Sequence, residues 1–310
     1  MKRVLITKQI QPVAKELLLN HFSVDENTTD DFLSVDALRQ AVQQYDGILS
    51  LIPDQFDADV LSNATRLKVI ANLAIGLDNI DVDYAKKKGI AVYNLPDVVT
   101  DSTADLTFAL FLALIRKIPQ AQKFVLENLW KGWEPNLFLG EELKGKIFGI
   151  AGFGKIGQAV ARRALGFDLK VIVYNRSPIK GEPSLTSSVK QVEWDEFLRE
   201  SDYISLHVPL TKETDGLIDL EAIKRMSKKP VLINMARGAV IDTQSLVFAL
   251  QEGLVRGAAL DVTSPEPIPA THPLCMMEHC LILPHIGSAT IECRTKMAQK
   301  AAENLINHLT

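Results

Sequence analysis

Cysteine is scarce. The chain of 310 residues carries three, Cys275, Cys280 and Cys293, an odd number clustered near the C-terminus. Such a set makes no disulfide framework and fits free thiols in a reducing compartment. Long hydrophobic runs are also missing. The longest, Leu106 to Ile115, is bounded by Asp105 and Arg116 and is about half of what a bilayer-spanning helix needs, so it reads as a buried helix and no membrane is expected. Met1-Lys2-Arg3 leads into a short alternating apolar run rather than a secretory h-region with a small-residue cleavage site, and a cytoplasmic location is expected. Charge of one sign is not in excess: 34 Lys and Arg stand against 38 Asp and Glu, a formal net charge of −4. A nucleic-acid partner, which calls for a concentrated basic face, is therefore not expected. There is no internal repeat and no low-complexity stretch, and the only proline-dense piece is Ser264 to Pro269.

What is present is an ordinary globular composition, 47% hydrophobic and 23% charged, in a chain long enough for about two domains with a cleft between them. Two series of short β-rich runs alternate with helical segments. The first comprises KRVLIT, GILSLI, LKVIANL and AVYNL; the second comprises KIFGIAG, LKVIVYN, YISLHVP, PVLINMA, GAALDV and CLILPHI. Alternation of this kind predicts α/β architecture with two doubly wound parallel sheets. Asp101 to Lys117, apolar nearly all round with capping residues at its start, reads as a buried connecting helix. Thr290 to Leu309 has helical spacing and no strand after it, and is expected to return to the first domain. The boundaries follow: residues 1–99 with 287–310 for one domain, and 100–286 for the other, inserted in it.

KIFGIAGFGKIGQAVARRAL places Gly152, Gly154 and Gly157 between a β-rich run and a helical one, the context a dinucleotide fingerprint requires. The glycines serve the tight turn, the approach of backbone to pyrophosphate, and close helix–strand packing. Lys155 and Ile156 would add backbone N–H groups at the helix N-terminus. A ligand-free glycine-rich turn is the competing reading, and it is weak once strand and helix flank the motif. Where an NAD enzyme would place an acid for the ribose hydroxyls, this chain has Asn175, followed by Arg176 and Ser177, with Lys180 nearby. No acid and a present base favour a 2′-phosphate, hence NADP (NADPH) with NAD as the weaker alternative. Against this stands the reading of Arg176 as a solvated residue at a strand end.

Three further candidates each follow a predicted strand, where the ligand crevice of an open α/β sheet lies: Arg237 in INMARGAVID, Glu266 in ALDVTSPEP and His285 in LPHIGSAT. Reduction of a 2-oxo acid needs an anchor for the carboxylate, a proton donor for the developing alkoxide and a group that keeps the donor protonated. In order and context these segments resemble the D-2-hydroxyacid dehydrogenase family over nearly the whole chain. LDVTSPEP, THPL, LPHIGSAT and WKGW are most similar to the glyoxylate and hydroxypyruvate reductases within it.

The resemblance implies a Rossmann coenzyme domain inserted in a flavodoxin-like substrate domain, a homodimer, and reduction of small 2-oxo acids to D-2-hydroxy acids. It implies that His285 is the acid in reduction, that Glu266 holds its ring and favours the imidazolium, and that Arg237 clamps the substrate. The family's carboxylate loop corresponds to NLAIGLDNID, so backbone N–H groups of Ile75 and Gly76 would meet the carboxylate; a plain turn is the alternative for the glycine. Asp261 resembles the residue that holds the nicotinamide carboxamide. Pro209, Thr214 and Ala236 resemble coenzyme-lining positions, and Thr103 a phosphate-side contact. Trp133 would close the neighbouring subunit's pocket, or simply pack at the dimer interface. Leu51, Ile52 and Pro53 would shape the pocket wall. Many relatives have Glu where this chain has Asp105, one methylene shorter.

His272, Cys275, His279 and Cys280 match no common zinc spacing, and no metal is expected. Lys86 to Lys88 reads as the basic end of a helix. Two other functions fit the same motifs: a dehydrogenase for another small 2-hydroxy acid, and a coenzyme-sensing protein like the corepressors that share this fold.

Overall fold

The computed structural model describes all residues from Met1 to Thr310, and they fall into two compact units, Met1–Val99 with Ser288–Thr310 and Thr100–Gly287. In the first unit five parallel strands, β1 (Arg3–Ile6), β2 (Ser23–Glu26), β3 (Gly47–Ser50), β4 (Val69–Asn72) and β5 (Ala91–Tyr93), run in the order β2-β1-β3-β4-β5. The central strands β3 and β4 are buried at every residue, which is why they read as continuous apolar runs. Ser34, Asp57 and Asp81 each accept a backbone N–H to start the helices Val35–Gln44, Ala58–Ser62 and Val82–Lys87. The last of these carries Lys86 and Lys87 in its final turn.

Helix Ile291–Leu309, capped by the Thr290 hydroxyl, buries Met297, Ala298, Ala301, Ala302, Leu305 and Leu309 against helix Pro12–Leu19 and strands β3 and β4. Gly47 makes this packing possible, since a Cβ there would lie 2.9 Å from the end of Leu309. The order of strands reverses between β1 and β3, so the crevice of this unit opens beyond Ile6 and Ser50.

In the second unit seven parallel strands, β6 (Ile147–Ala151), β7 (Lys170–Tyr174), β8 (Val189–Gln191), β9 (Tyr203–Leu206), β10 (Val231–Asn234), β11 (Gly257–Leu260) and β12 (Cys280–Ile282), run in the order β12-β11-β10-β9-β6-β7-β8. On one face Phe108, Phe111, Phe148 and Tyr203 form an aromatic core; on the other Phe197, Leu198, Ile204, Leu232 and Leu246 do the same task with mostly aliphatic contacts. The connecting helix is Thr100–Ile115. It buries eight residues but leaves Asp105 and Ala109 exposed, and Asp105 accepts a hydrogen bond from Arg163 Nε at 2.7 Å. The shorter acid still reaches a partner.

The reversal here lies between β6 and β9, so the glycine loop after Ala151 and the segment His207–Pro209 flank the crevice. The strands that the apolar pattern misses are β2 and β8, SVDE and VKQ. Both are short sheet edges, covered too little to demand apolar side chains. Helix Ile118–Leu126 buries none of its residues. No helix is long and apolar enough to cross a membrane.

Candidate active site

The turn after β6 is built by exclusion. Gly152 has φ +93°, and a Cβ there would stand 2.7 Å from the His207 carbonyl oxygen; at Gly157 one would stand 2.1 Å from the carbonyl oxygen of Gly152. A Cβ at Gly154 would meet nothing within 4 Å. The middle glycine therefore faces open space at the N-cap of helix Lys155–Gly166, where N–H groups lacking helical partners and the positive end of the dipole are available to a phosphate. Lys155 is exposed and Ile156 half-buried in its first turn. This cradle fits a dinucleotide pyrophosphate.

After β7 the Asn175 amide turns inward. Its Oδ1 accepts the Phe153 N–H at 3.1 Å and its Nδ2 donates to the Ser177 carbonyl at 2.8 Å. Two glutamines that no sequence motif singles out hold the loop that follows. Gln191 Nε2 donates to the carbonyls of Asn175 and Ser177, both at 3.0 Å, and its Oε1 accepts Ile179 N–H at 2.9 Å. Gln158 Nε2 donates to Phe153 and Lys180 carbonyls. Arg176, Ser177 and Lys180 are left exposed on this braced loop. Beyond β9, the Thr214 hydroxyl donates to the Pro209 carbonyl at 2.6 Å, so these two residues brace one turn.

Beyond β10, β11 and β12 the three chemical candidates belong to one unit. Asn234, buried at the end of β10, accepts Ala236 N–H and donates to the Arg237 carbonyl at 2.9 Å; Arg237 Nη1 donates to the Ala236 carbonyl at 2.8 Å. Gly238 fits against the Thr263 carbonyl only because it has no Cβ, which brings the arginine turn beside the loop carrying Glu266. Glu266 Oε1 meets His285 Nδ1 at 2.6 Å, and its other oxygen accepts Thr263 N–H at 3.2 Å. Burial alone would push the Glu266 carboxyl up. The hydrogen bond and charge of His285, the Thr263 N–H and the Arg237 charge outweigh it and hold the group below the usual range. The carboxylate is thus ionised through the neutral range, and Nδ1 is engaged while Nε2 faces away from it.

His285 adopts φ +56°, uncommon for a residue with a Cβ. Asp261 explains how it is held. Its two carboxylate oxygens accept the N–H groups of Ile286 and Gly287, each at 2.7 Å, and its carbonyl accepts His285 N–H at 2.9 Å. Burial pushes the Asp261 carboxyl up, and those two N–H groups pull the other way. Thr103, buried on the connecting helix, donates to the Gly287 carbonyl at 3.4 Å. Asp261 and Thr103 therefore brace the histidine turn, a task that their sequence context did not suggest.

Ile75 and Gly76 belong to the other unit. There the carbonyls of Ala74, Ile75 and Gly76 accept from Leu95 N–H, Asn94 Nδ2 and Asn72 Nδ2, and the N–H groups of Ile75 and Gly76 donate to no carbonyl of the unit. Two adjacent N–H groups so disposed can receive an oxyanion. Trp133 is 85% exposed. His272 Nδ1 accepts Leu274 N–H, and His279 Nε2 lies 3.3 Å from the Leu250 carbonyl; no group of three or more potential ligands is assembled to hold a metal.

Residues 108–287 match the family described as D-isomer specific 2-hydroxyacid dehydrogenase, NAD binding domain. Over 308 residues the chain is 44% identical to the glyoxylate reductase of Thermococcus litoralis, covering 98% of this chain and 92% of that one. A crystallised protein of Thermus thermophilus superposes with a TM-score of 0.91 at 40% identity, over 99% of this chain and 96% of that one. An NADPH-dependent glyoxylate/hydroxypyruvate reductase of Sinorhizobium meliloti, solved with NADP and malonate, gives 0.84 at 29% identity, over 98% and 92%. A glycine cradle for a dinucleotide and a carboxylate–histidine pair past the neighbouring strands of the same sheet are the machinery expected of that group, and with these matches the chain belongs to the D-2-hydroxyacid dehydrogenase family, as an NAD(P)-dependent oxidoreductase.

Proposed function

We propose that the enzyme is an NADP-preferring reductase of small 2-oxo acids of the glyoxylate and hydroxypyruvate class, forming D-2-hydroxy acids. The observation that carries this reading is the His285–Glu266 pair at 2.6 Å, alongside relatives named for that chemistry. The nicotinamide, when bound, supplies or accepts the hydride. The protein's part is proton delivery and positioning. His285 Nε2 gives a proton to the carbonyl oxygen in reduction and takes it back in oxidation. Glu266 stabilises the imidazolium and fixes the ring, while Arg237 binds the carboxylate and carbonyl oxygens as a planar fork. The N–H groups of Ile75 and Gly76 receive the carboxylate, which makes the first unit the substrate domain and the second the coenzyme domain. Gly152, Gly154, Lys155, Ile156 and Gly157 hold the pyrophosphate, with Thr103, Pro209, Thr214, Ala236 and Asp261 around the rest of the coenzyme.

A homodimer is part of the same reading. Ile118, Val125, Leu126, Leu129, Trp130, Trp133 and Leu139, all within one stretch of the sequence, are exposed; exposed apolar side chains in such number suit an interface, and a second copy is the partner the family resemblance supplies.

The coenzyme preference follows from charge. A 2′-phosphate has Arg176, Ser177 and Lys180 within one loop and no Asp or Glu among residues 174–181. Arg176→Ala is expected to lower kcat/KM for NADPH roughly tenfold to a hundredfold, mainly through KM, and to change NADH little. Rising ionic strength should narrow the wild-type gap, because the loop is exposed. Asn175→Asp is a poorer test, since it would also remove the amide donor to Ser177. Steady-state kinetics with both coenzymes check the assignment; equal wild-type values, or an Arg176 variant that loses both coenzymes alike, contradict it.

A further inference from the structure

The first unit contains a chain of buried amides that no part of the mechanism above uses. Asn72 ends β4, and Asn79 lies seven residues on, beyond the Ala74–Gly76 bend; both are buried. Asn72 Nδ2 donates to the Gly76 carbonyl and to Asn79 Oδ1, both at 3.0 Å, while its Oδ1 accepts the Ser50 hydroxyl at 3.1 Å. Asn79 Nδ2 donates to the carbonyls of Leu51, at 3.1 Å, and Asp54, at 2.9 Å. Each amide has two N–H donors and one acceptor oxygen, so both are satisfied in only one orientation, and a flipped amide would set oxygen against oxygen. The far end is anchored by buried Asp54, whose carboxylate accepts Leu51 N–H at 2.8 Å and the Thr7 hydroxyl at 2.5 Å. On the near end, Asn94 Nδ2 donates to the Ile75 carbonyl at 2.6 Å.

The consequence is geometric. Because a carbonyl shares its plane with the next residue's N–H, the Asn94 bond to the Ile75 carbonyl fixes where the Gly76 N–H points, the Leu95 N–H on the Ala74 carbonyl does the same for the Ile75 N–H, and the Asn72 bond to the Gly76 carbonyl holds the peptide that follows and so closes the bend behind them. The same amides tie that bend to Leu51–Asp54, the loop expected to form the pocket wall. We propose that Asn72, Asn79 and Asn94 are positioning residues that set the substrate carboxylate receiver and hold it at a fixed distance from the pocket wall. They thereby control the KM for the 2-oxo acid and the discrimination by side-chain length. This rests on the reading that Ile75 and Gly76 receive the carboxylate. Small misplacements of such a receiver are costly in binding and rate.

The test uses the full-length enzyme. Asn72→Asp replaces the donor to Gly76 by an acceptor; it should raise KM for glyoxylate at least tenfold, weaken competitive inhibition by malonate in parallel, leave KM for NADPH within twofold and alter the ratio of glyoxylate to pyruvate turnover. Asn94 is only half-buried, so Asn94→Ala provides a folded variant should the buried change fail to fold. It should raise the same KM threefold to tenfold, with Asn94→Gln recovering part of the loss. A residue with a merely structural role would lower Tm and kcat without this split between substrate and coenzyme. In parallel, malonate is titrated into 15N-labelled wild type with NADP present. Shifts of the Ile75 and Gly76 amides combined with normal KM in the variants overturn the proposal alone. Absence of those shifts overturns the carboxylate reading, and the proposal with it.

Discussion

Replacing His285 with alanine is expected to lower kcat for 2-oxo acid reduction by about two to four orders of magnitude, the range lost when a positioned general acid is removed. Coenzyme affinity should stay within about twofold of wild type, since the glycine cradle and the Arg176 loop depend on strands β6 and β7, not on the His285 turn. The Glu266 carboxyl, which burial alone would raise, is held below the usual range by the hydrogen bond and charge of His285, so it is negative throughout the neutral region and holds the ring at Nδ1. Glu266→Gln removes that charge and is expected to lower kcat for reduction about tenfold or more while coenzyme affinity is kept. Pre-steady-state and steady-state rates check both variants. Near-normal turnover without His285, or with Gln at position 266, would remove the pair from the mechanism.

Arg237→Lys is expected to cost about a hundredfold or more in kcat/KM for the oxo acid, although the charge is kept. A lysine ammonium is a point donor and cannot bind two oxygens in one plane. The arginine is also placed with care: Asn234 holds its carbonyl, and its own Nη1 bonds the preceding carbonyl. A lysine chain on the same backbone has no second nitrogen with which to make that bond and still face the substrate. Loss of the orientation should show in kcat as well as KM. Full kcat/KM in the lysine variant would mean that the site needs only a positive charge there.

The apolar strands and the glycine cradle were legible in the sequence because their causes are local. GILS and VIAN read as buried strands since central parallel strands admit little else, and GFGKIG needs only its own turn to be recognised. Arg237, Glu266 and His285 were singled out through their places after strands, together with family resemblance. What escaped was the polar bracing. Asn72, Asn79, Asn234, Gln158 and Gln191 act on loops brought near them by the fold, and a lone amide in a sequence does not name its partners. One signal was available: VIAN and VLIN both close an apolar strand with an amide at the carboxyl end, where the crevice opens. Asp261 was read through the coenzyme, yet its carboxylate also grips the turn after His285, a pairing across 25 and 26 residues that periodicity cannot reveal.

The central claim, a small 2-oxo acid reduced at the expense of NADPH, is tested most directly by one matrix of kcat/KM values: glyoxylate, hydroxypyruvate, pyruvate and a bulkier oxo acid, each with NADPH and with NADH, followed by coenzyme oxidation. The account predicts that glyoxylate and hydroxypyruvate lead, that values fall as the side chain grows, and that NADPH exceeds NADH about tenfold or more in the productive rows. Turnover confined to the bulky acid, NADH equal or superior throughout, or coenzyme binding with no oxidation by any of the acids would contradict it.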